Sequence, residues 1–246
     1  GKATHHAWNA TWCTSTPMKG SKRASAMHDT QKAQDNQINE SSGGVIAMAR
    51  QPIGLLPDPE WARDNALAEA LMSTHRYVET KITVGASHPD DQTTKARITL
   101  INIYAPAGQK DVDKMERERF LTRVWERAEQ IAGPVFIIGD FNTKKETSRA
   151  LYYAARSGWM DVGFEFANNE TTYDLYGAND IEEAEQKRAK GNQTSDDGKT
   201  RIDMVWSNDS ALRLVTSYEI KEGTDRRQHS EVHMRLSCDS PCIQGL

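Results

Sequence analysis

Val135-Phe136-Ile137-Ile138-Gly139-Asp140-Phe141-Asn142 is the stretch on which the reading of the fold turns. Val135 to Ile138 is a continuous apolar run and reads as a buried strand, and Gly139-Asp140 ends it. Residues at the carboxyl end of such a strand stand at the rim of a sheet, where catalytic groups commonly lie. A carboxylate and a carboxamide one residue apart in a tight turn can divide two tasks. Asp140 can hold a metal-bound or protonated oxygen, while Asn142 donates hydrogen bonds to a phosphate oxygen. Gly-Asp-Phe-Asn is also a set of turn formers, and taken alone, turn chemistry accounts for it without any site.

Outward from this stretch the pattern is strand and helix. Upstream, Asp111 to Ala132 reads as a long amphipathic helix with Val112, Met115, Leu121, Val124, Ala128 and Ile131 on one stripe. Arg97 to Tyr104 is apolar on both alternating faces, Ile98 and Leu100 against Ile101 and Ile103, which predicts a strand covered on both sides. Pro106 and Gly108 stop it. Tyr77 to Val84 alternates as a half-buried strand, Glu60 to Met72 carries helical spacing, and Val45 to Ala49 is a short buried strand. Residues 13–43 are polar and without period, so residues 1–42 are expected to be a poorly ordered N-terminal segment. Downstream, a helix is predicted over about Glu146 to Arg156, a polar loop over 176–200, and strands at Arg201–Trp206, Leu212–Ile220 and Val232–Leu236. Strand-helix-strand order in the middle and consecutive strands at the end imply sheets covered by helices. The domain is expected to span 43–237, with residues 238–246 as a tail.

Two further residues stand out. Asp203 interrupts Ile202, Met204, Val205 and Trp206, placing a carboxylate in a strand that otherwise looks buried. A buried carboxylate is costly without a partner, so Arg201, a metal or a histidine is needed beside it. His229, just before the terminal strand, can pair with a carboxylate and exchange a proton near neutral pH. A structural salt bridge at Asp203 and a solvated His229 are the plainer alternatives.

Bulk properties bound the class. The chain has 246 residues with a formal net charge of −4, 37% hydrophobic and 27% charged residues, which fits one large, polar α/β domain. No run approaches the roughly 20 apolar residues of a transmembrane helix, and no secretory signal is visible. Cys13, Cys238 and Cys242 make neither a disulfide framework nor a zinc site, which suits ordinary thiols in a reducing intracellular compartment, cytoplasmic or nuclear. The negative charge means that any contact with nucleic acid rests on a local site rather than a basic face.

Taken together, Ile101-Asn102-Ile103-Tyr104-Ala105-Pro106, Ile137-Ile138-Gly139-Asp140-Phe141-Asn142, Arg201-Ile202-Asp203 and His229 before the last strand resemble the ordered motifs of the endonuclease/exonuclease/phosphatase superfamily. That family includes DNase I, abasic-site endonucleases, sphingomyelinases, inositol polyphosphate 5-phosphatases and the endonuclease domains of non-LTR retrotransposons, and the last type looks nearest. The resemblance implies a two-sheet α/β sandwich with outer helices, DNase I-like, and Mg²⁺- or Mn²⁺-dependent cleavage of phosphodiesters, with DNA as the expected substrate and no membrane partner. Tyr104 would contact the scissile phosphate, Asp140 would orient or deprotonate the attacking water, and Asn142 would brace the phosphate. Asp203 would hold His229, and His229 would stabilise charge in the transition state. Asp140 and Asp203 would be the metal ligands. Departures accompany the resemblance. The family's first-strand Asn and its principal metal-binding Glu have no convincing counterpart. Trp8-Asn9 and Asn39-Glu40 could mimic them, but Glu40 runs straight into Ser41-Ser42-Gly43-Gly44, so residue 1 is expected to lie just past the missing Glu and the N-terminal edge of the fold to be missing. Gln228 stands where the family has an Asp, and Ala107 where many members have an Asn. The expectation is therefore a fragment that cleaves slowly or not at all. A non-catalytic remnant or binding module on the same scaffold, and a phosphomonoesterase acting on inositol phosphates or lipids, stay open as alternatives.

Overall fold

The computed structural model describes residues 8–12, 16–17, 41–42, 45–50, 54–57, 65–84, 96–167, 172–174, 199–221 and 229–237. Strands β1 (Trp8–Trp12), β2 (Thr16–Pro17), β3 (Ser41–Ser42), β4 (Ile46–Arg50) and β5 (Gly54–Pro57) lead to helix α1 (Ala66–Met72). Then come β6 (Tyr77–Val84), β7 (Ala96–Tyr104), helix α2 (Asp111–Ala128) and β8 (Val135–Asp140). They are followed by α3 (Arg149–Arg156), β9 (Met160–Asp161), α4 (Val162–Ala167), β10 (Tyr173–Asp174), β11 (Lys199–Thr200) and β12 (Asp203–Ser207). Helix α5 (Asp209–Leu212), β13 (Val215–Lys221) and β14 (Glu231–Leu236) close the described fold.

The centre is a six-stranded sheet in the order β5-β6-β7-β8-β12-β9. Only β7 and β8 run parallel, because α2 carries the chain back between them; the other pairs are antiparallel. Each central strand sends alternate side chains to two different cores. Ile101, Ile103, Val135, Ile137, Met204 and Trp206 pack beneath the helices with Leu71, Phe120, Leu121, Val124 and Leu151. Ile98, Phe136 and Val205 pack on the opposite face with Val162, Leu214, Val215 and Tyr218. Each such large side chain contributes about 1.5–3 kcal/mol on burial. Among the described residues the second layer is split into two ribbons, β1 with β4 and β13 with β14.

The helical face holds a buried ion pair. Glu79 on β6 accepts hydrogen bonds from Nε and Nη2 of Arg127, each at 3.1 Å, and from the Tyr77 hydroxyl at 2.7 Å. Burial leaves the Glu79 carboxyl raised, with the Tyr77 hydroxyl and Arg127 offsetting part of the push.

Several boundaries differ from the sequence expectation, each for a local reason. Helix α2 ends at Ala128 rather than Ala132: Gln130 and Ile131 close tight turns onto Arg127 and Ala128, and Gly133 then adopts φ +86° before Pro134. Its first-turn apolar residues Val112 and Met115 are exposed rather than part of the buried stripe. Helix α3 starts at Arg149 because the Ser148 hydroxyl accepts the Leu151 N–H and caps it. Leu212 belongs to the short helix capped by Asn208, so β13 begins only at Val215. Helix α1 is described from Ala66, capped by Asn65; residues 60–64 lie outside the described residues, as do most of 1–42, residues 175–198 and the tail 238–246.

Candidate active site

Three neighbouring strands end or begin at one edge of the central sheet. In the parallel pair, Tyr104 at the end of β7 is the register partner of Asp140 at the end of β8. In the antiparallel pair, Asp203 at the start of β12 is the partner of the same Asp140. Register partners present their side chains to the same face of a sheet, so these three residues form one row. The row needs Gly139 behind it. At φ +145°, a Cβ there would stand 1.9 Å from the Ile103 carbonyl oxygen, so no other residue permits β7 and β8 this approach.

The turn after β8 is tied to both neighbours. Asn142 adopts φ +50°, a conformation that Asn tolerates better than most residues. Its backbone N–H donates to Asp140 Oδ1 at 2.8 Å, and its Nδ2 donates to the Ala105 carbonyl at 2.9 Å. Ala105 N–H returns a bond to the Asp140 carbonyl at 2.8 Å, while Phe141 N–H reaches the Ile202 carbonyl at 2.8 Å. Phe141 itself is fully buried and anchors the turn in the core. The buried Arg117 guanidinium donates to the Pro106 and Gly108 carbonyls at 3.2 and 3.1 Å, fixing the loop that follows Tyr104. Arg76 lies over the Tyr104 ring, 5.1 Å from its centroid.

His229 meets this edge from the other layer. Its Nδ1 is 2.9 Å from Asp203 Oδ2. A carboxylate only accepts, so Nδ1–H is the donor and the imidazole is held in one tautomer. Behind the pair sits Thr172, fully buried, whose hydroxyl accepts the N–H groups of Ile202 and Asp203 at 3.2 and 3.0 Å.

Potential ligand atoms of Asp140, Asp203 and His229 lie within 4.8 Å of one another. Burial, and then the charge of Asp203, push the Asp140 carboxyl up to about 6. The Asn142 N–H, His229 and Arg117 pull the other way without cancelling it. Two carboxylates facing each other short of positive charge are a donor set that fits a hard divalent cation, for which oxygen ligands are preferred. Asp140 and Asp203 would hold such an ion, with His229 beside it.

The structure therefore brings Asp140, Asp203 and His229 into one cluster, with Tyr104 beside Asp140 in register and Asn142 hydrogen-bonded to it. One amide hydrogen of Asn142 is directed at Ala105, so its first task here is to hold the turn. Sequence reasoning missed Thr172, Arg117 and Arg76. Thr172 lies at the margin of a polar stretch and carries no periodic or charge signal. Arg117 looked like one more cation on a helix, and Arg76 like one at a strand entrance.

No family model and no curated protein matches the sequence. Solved structures do. The endonuclease domain of TRAS1, a telomere-specific non-LTR retrotransposon, matches at TM-score 0.54 and 13% identity over 95% of this chain and 81% of that one. An AP endonuclease from Archaeoglobus fulgidus matches at TM-score 0.50 and 14% identity over 95% of this chain and 89% of that one. The Xenopus laevis APE2 catalytic domain matches at TM-score 0.46 and 21% identity over 70% of this chain, which spans 60% of that domain's length. The central sheet, its helical layer and the alignments with the TRAS1 endonuclease domain and the Archaeoglobus fulgidus AP endonuclease show that the chain has a DNase I-like fold.

Proposed function

We propose that this chain is a divalent-metal-dependent phosphodiesterase that hydrolyses phosphodiester bonds in DNA. The observation that carries the proposal is the convergence of Asp140, Asp203 and His229 at one sheet edge, beside Tyr104 and Asn142. Two solved structures with this fold are an endonuclease domain and an AP endonuclease, which supports nucleic acid as the substrate.

Phosphodiester hydrolysis builds negative charge on the phosphoryl oxygens, and groups fixed before the reaction stabilise it best. A bound Mg²⁺ or Mn²⁺ supplies Lewis-acid neutralisation of that charge. Asp140, with a carboxyl near 6, can accept the proton of an attacking water close to neutral pH. Asp203 holds His229 through Nδ1–H, so in the doubly protonated imidazolium form Nε2–H would be the donor that stabilises or protonates a developing oxyanion. Tyr104 contributes a phenolic hydroxyl on the same face. Asn142 keeps Asp140 oriented through its N–H and can turn its second amide hydrogen to phosphate.

Among the described residues no third carboxylate joins the cluster. The test is supercoiled-plasmid nicking in Mg²⁺ and in Mn²⁺, with Asp140→Ala and His229→Ala as controls and inositol phosphates as competing substrates. Nicking that both substitutions remove supports the proposal. Nicking indifferent to both, or hydrolysis confined to the inositol phosphates, would sink it.

A further inference from the structure

We infer that Thr172 is a positioning residue for the Asp203–His229 pair, holding the two segments that carry them to one buried residue. This rests on the nuclease reading above for its catalytic consequence, but not for its geometry.

Strand β12 pairs with β8 along its whole length, from Asp203 to Ser207. On its other edge it pairs with β9 only at Trp206 and Ser207. At the site end the outer N–H groups of Ile202 and Asp203 therefore face no strand among the described residues. The hydroxyl of Thr172 takes both, at 3.2 and 3.0 Å. Its main-chain carbonyl accepts the N–H of Ser230, the residue after His229, at 2.7 Å. Its own N–H donates to the Thr200 carbonyl at 3.1 Å. One fully buried residue thus fixes the start of β12, the approach to β14 and the end of β11.

Asp203 and His229 come from separate segments, and their 2.9 Å contact depends on both being held in the same frame. Thr172 is bonded to each segment by a different group: side chain for Asp203, main chain for His229's neighbour. Valine has threonine's shape without its acceptor, so Thr172→Val leaves the Ile202 and Asp203 N–H groups unmet and frees Asp203 to drift. Small displacements of this kind damage the reacting geometry more than substrate binding, so the loss belongs in kcat.

The test compares wild type, Thr172→Val and Thr172→Ser by plasmid nicking in Mg²⁺, thermal melting and amide hydrogen exchange read by NMR. Thr172→Val is expected to lower kcat about tenfold to a hundredfold, with KM within about threefold of wild type. Thr172→Ser restores the acceptor and most of the rate. The Ile202 and Asp203 amides exchange about tenfold faster or more in the valine variant alone, while Ser230, bonded to the main chain, keeps its protection. Wild-type kcat in Thr172→Val, equal losses in both variants, or unaltered exchange at Ile202 and Asp203 would each overturn the inference. If wild type does not nick DNA, the nuclease reading fails, and the selective exchange pattern alone upholds or overturns the positioning role. If the valine variant does not fold, the wild-type amides decide: unprotected Ile202 and Asp203 overturn the inference, and protection retained in Thr172→Ser upholds it.

Discussion

Two carboxylates on the central sheet are buried in opposite ways. Glu79 has both oxygens engaged by one guanidinium and a phenol, so its charge is met where it lies. Asp140 sits directly across from a second carboxylate, Asp203, with its cations farther off, and burial and repulsion hold its proton up to about 6. The first arrangement is complete in itself. The second is short of positive charge, which suits a site that must bind a cation and handle a proton. The same physics of desolvation yields a strut in one place and, on the proposed reading, a reactive group in the other, and what separates them is whether the chain supplies its own counter-ion.

That contrast can be broken by substitution. Asp140→Ala or His229→Ala is expected to reduce plasmid nicking by about a hundredfold to ten-thousandfold while the protein still melts cooperatively. Retained nicking in either would dissolve the distinction between the two carboxylates. Arg127→Ala should act on stability instead, costing about 3–5 kcal/mol by orphaning Glu79, while activity per folded molecule is unchanged. Chemical denaturation measures the first and nicking normalised to folded protein the second. Converting the pair together, Glu79→Met with Arg127→Leu, should recover most of that loss.

Asp140→Asn sharpens the comparison further. It removes the repelled charge yet keeps an oxygen to accept the Asn142 N–H, so it is expected to raise the melting temperature by a few degrees as it abolishes nicking. A melting temperature that falls would mean that Asp140 is already neutralised in the folded chain.

The smallest effect is the pH dependence. A carboxyl raised from 3.8 to about 6 binds its proton more tightly in the folded state than in the unfolded one. Its stabilising contribution is therefore full below about pH 4 and is lost as pH rises through about 6, worth on the order of 3 kcal/mol in full and about 1–2 kcal/mol once solvent screening at this half-buried sheet edge is allowed for. Rising Mg²⁺ should move the midpoint of nicking against pH downward, because cation and proton compete for the same oxygens. A midpoint insensitive to Mg²⁺ would separate Asp140 from the cation.

The residues legible from sequence are those whose chemistry breaks a local pattern. Asp140 ends an apolar run, Asp203 interrupts one and His229 precedes one, so each announces itself without knowledge of the fold. The double-faced strand Arg97–Tyr104 was legible for the same reason, since its alternation already held both cores. Thr172 was not, because a hydroxyl is unremarkable until two N–H groups from another strand arrive at it. The exposure of Val112 and Met115 was also hidden: periodicity gives the stripe of a helix but not where along it the neighbours begin. Strand β1 had no signal of its own, and its pairing with β4 is a matter of tertiary placement.

The order of the site along the chain has a consequence for biosynthesis. Tyr104 and Asp140 leave the ribosome together with the strands that carry them, well before Asp203 and His229. Until Asp203 pairs with Asp140 and His229 reaches Asp203, a growing chain holds a single carboxylate at the sheet edge, with neither the second ligand nor the imidazole. If the chain is the nuclease proposed above, a translation product that stops short of His229 would leave nucleic acid near it uncut. On the proposed reading the site is completed late, and the arrival of His229 ahead of β14 serves as its safety catch.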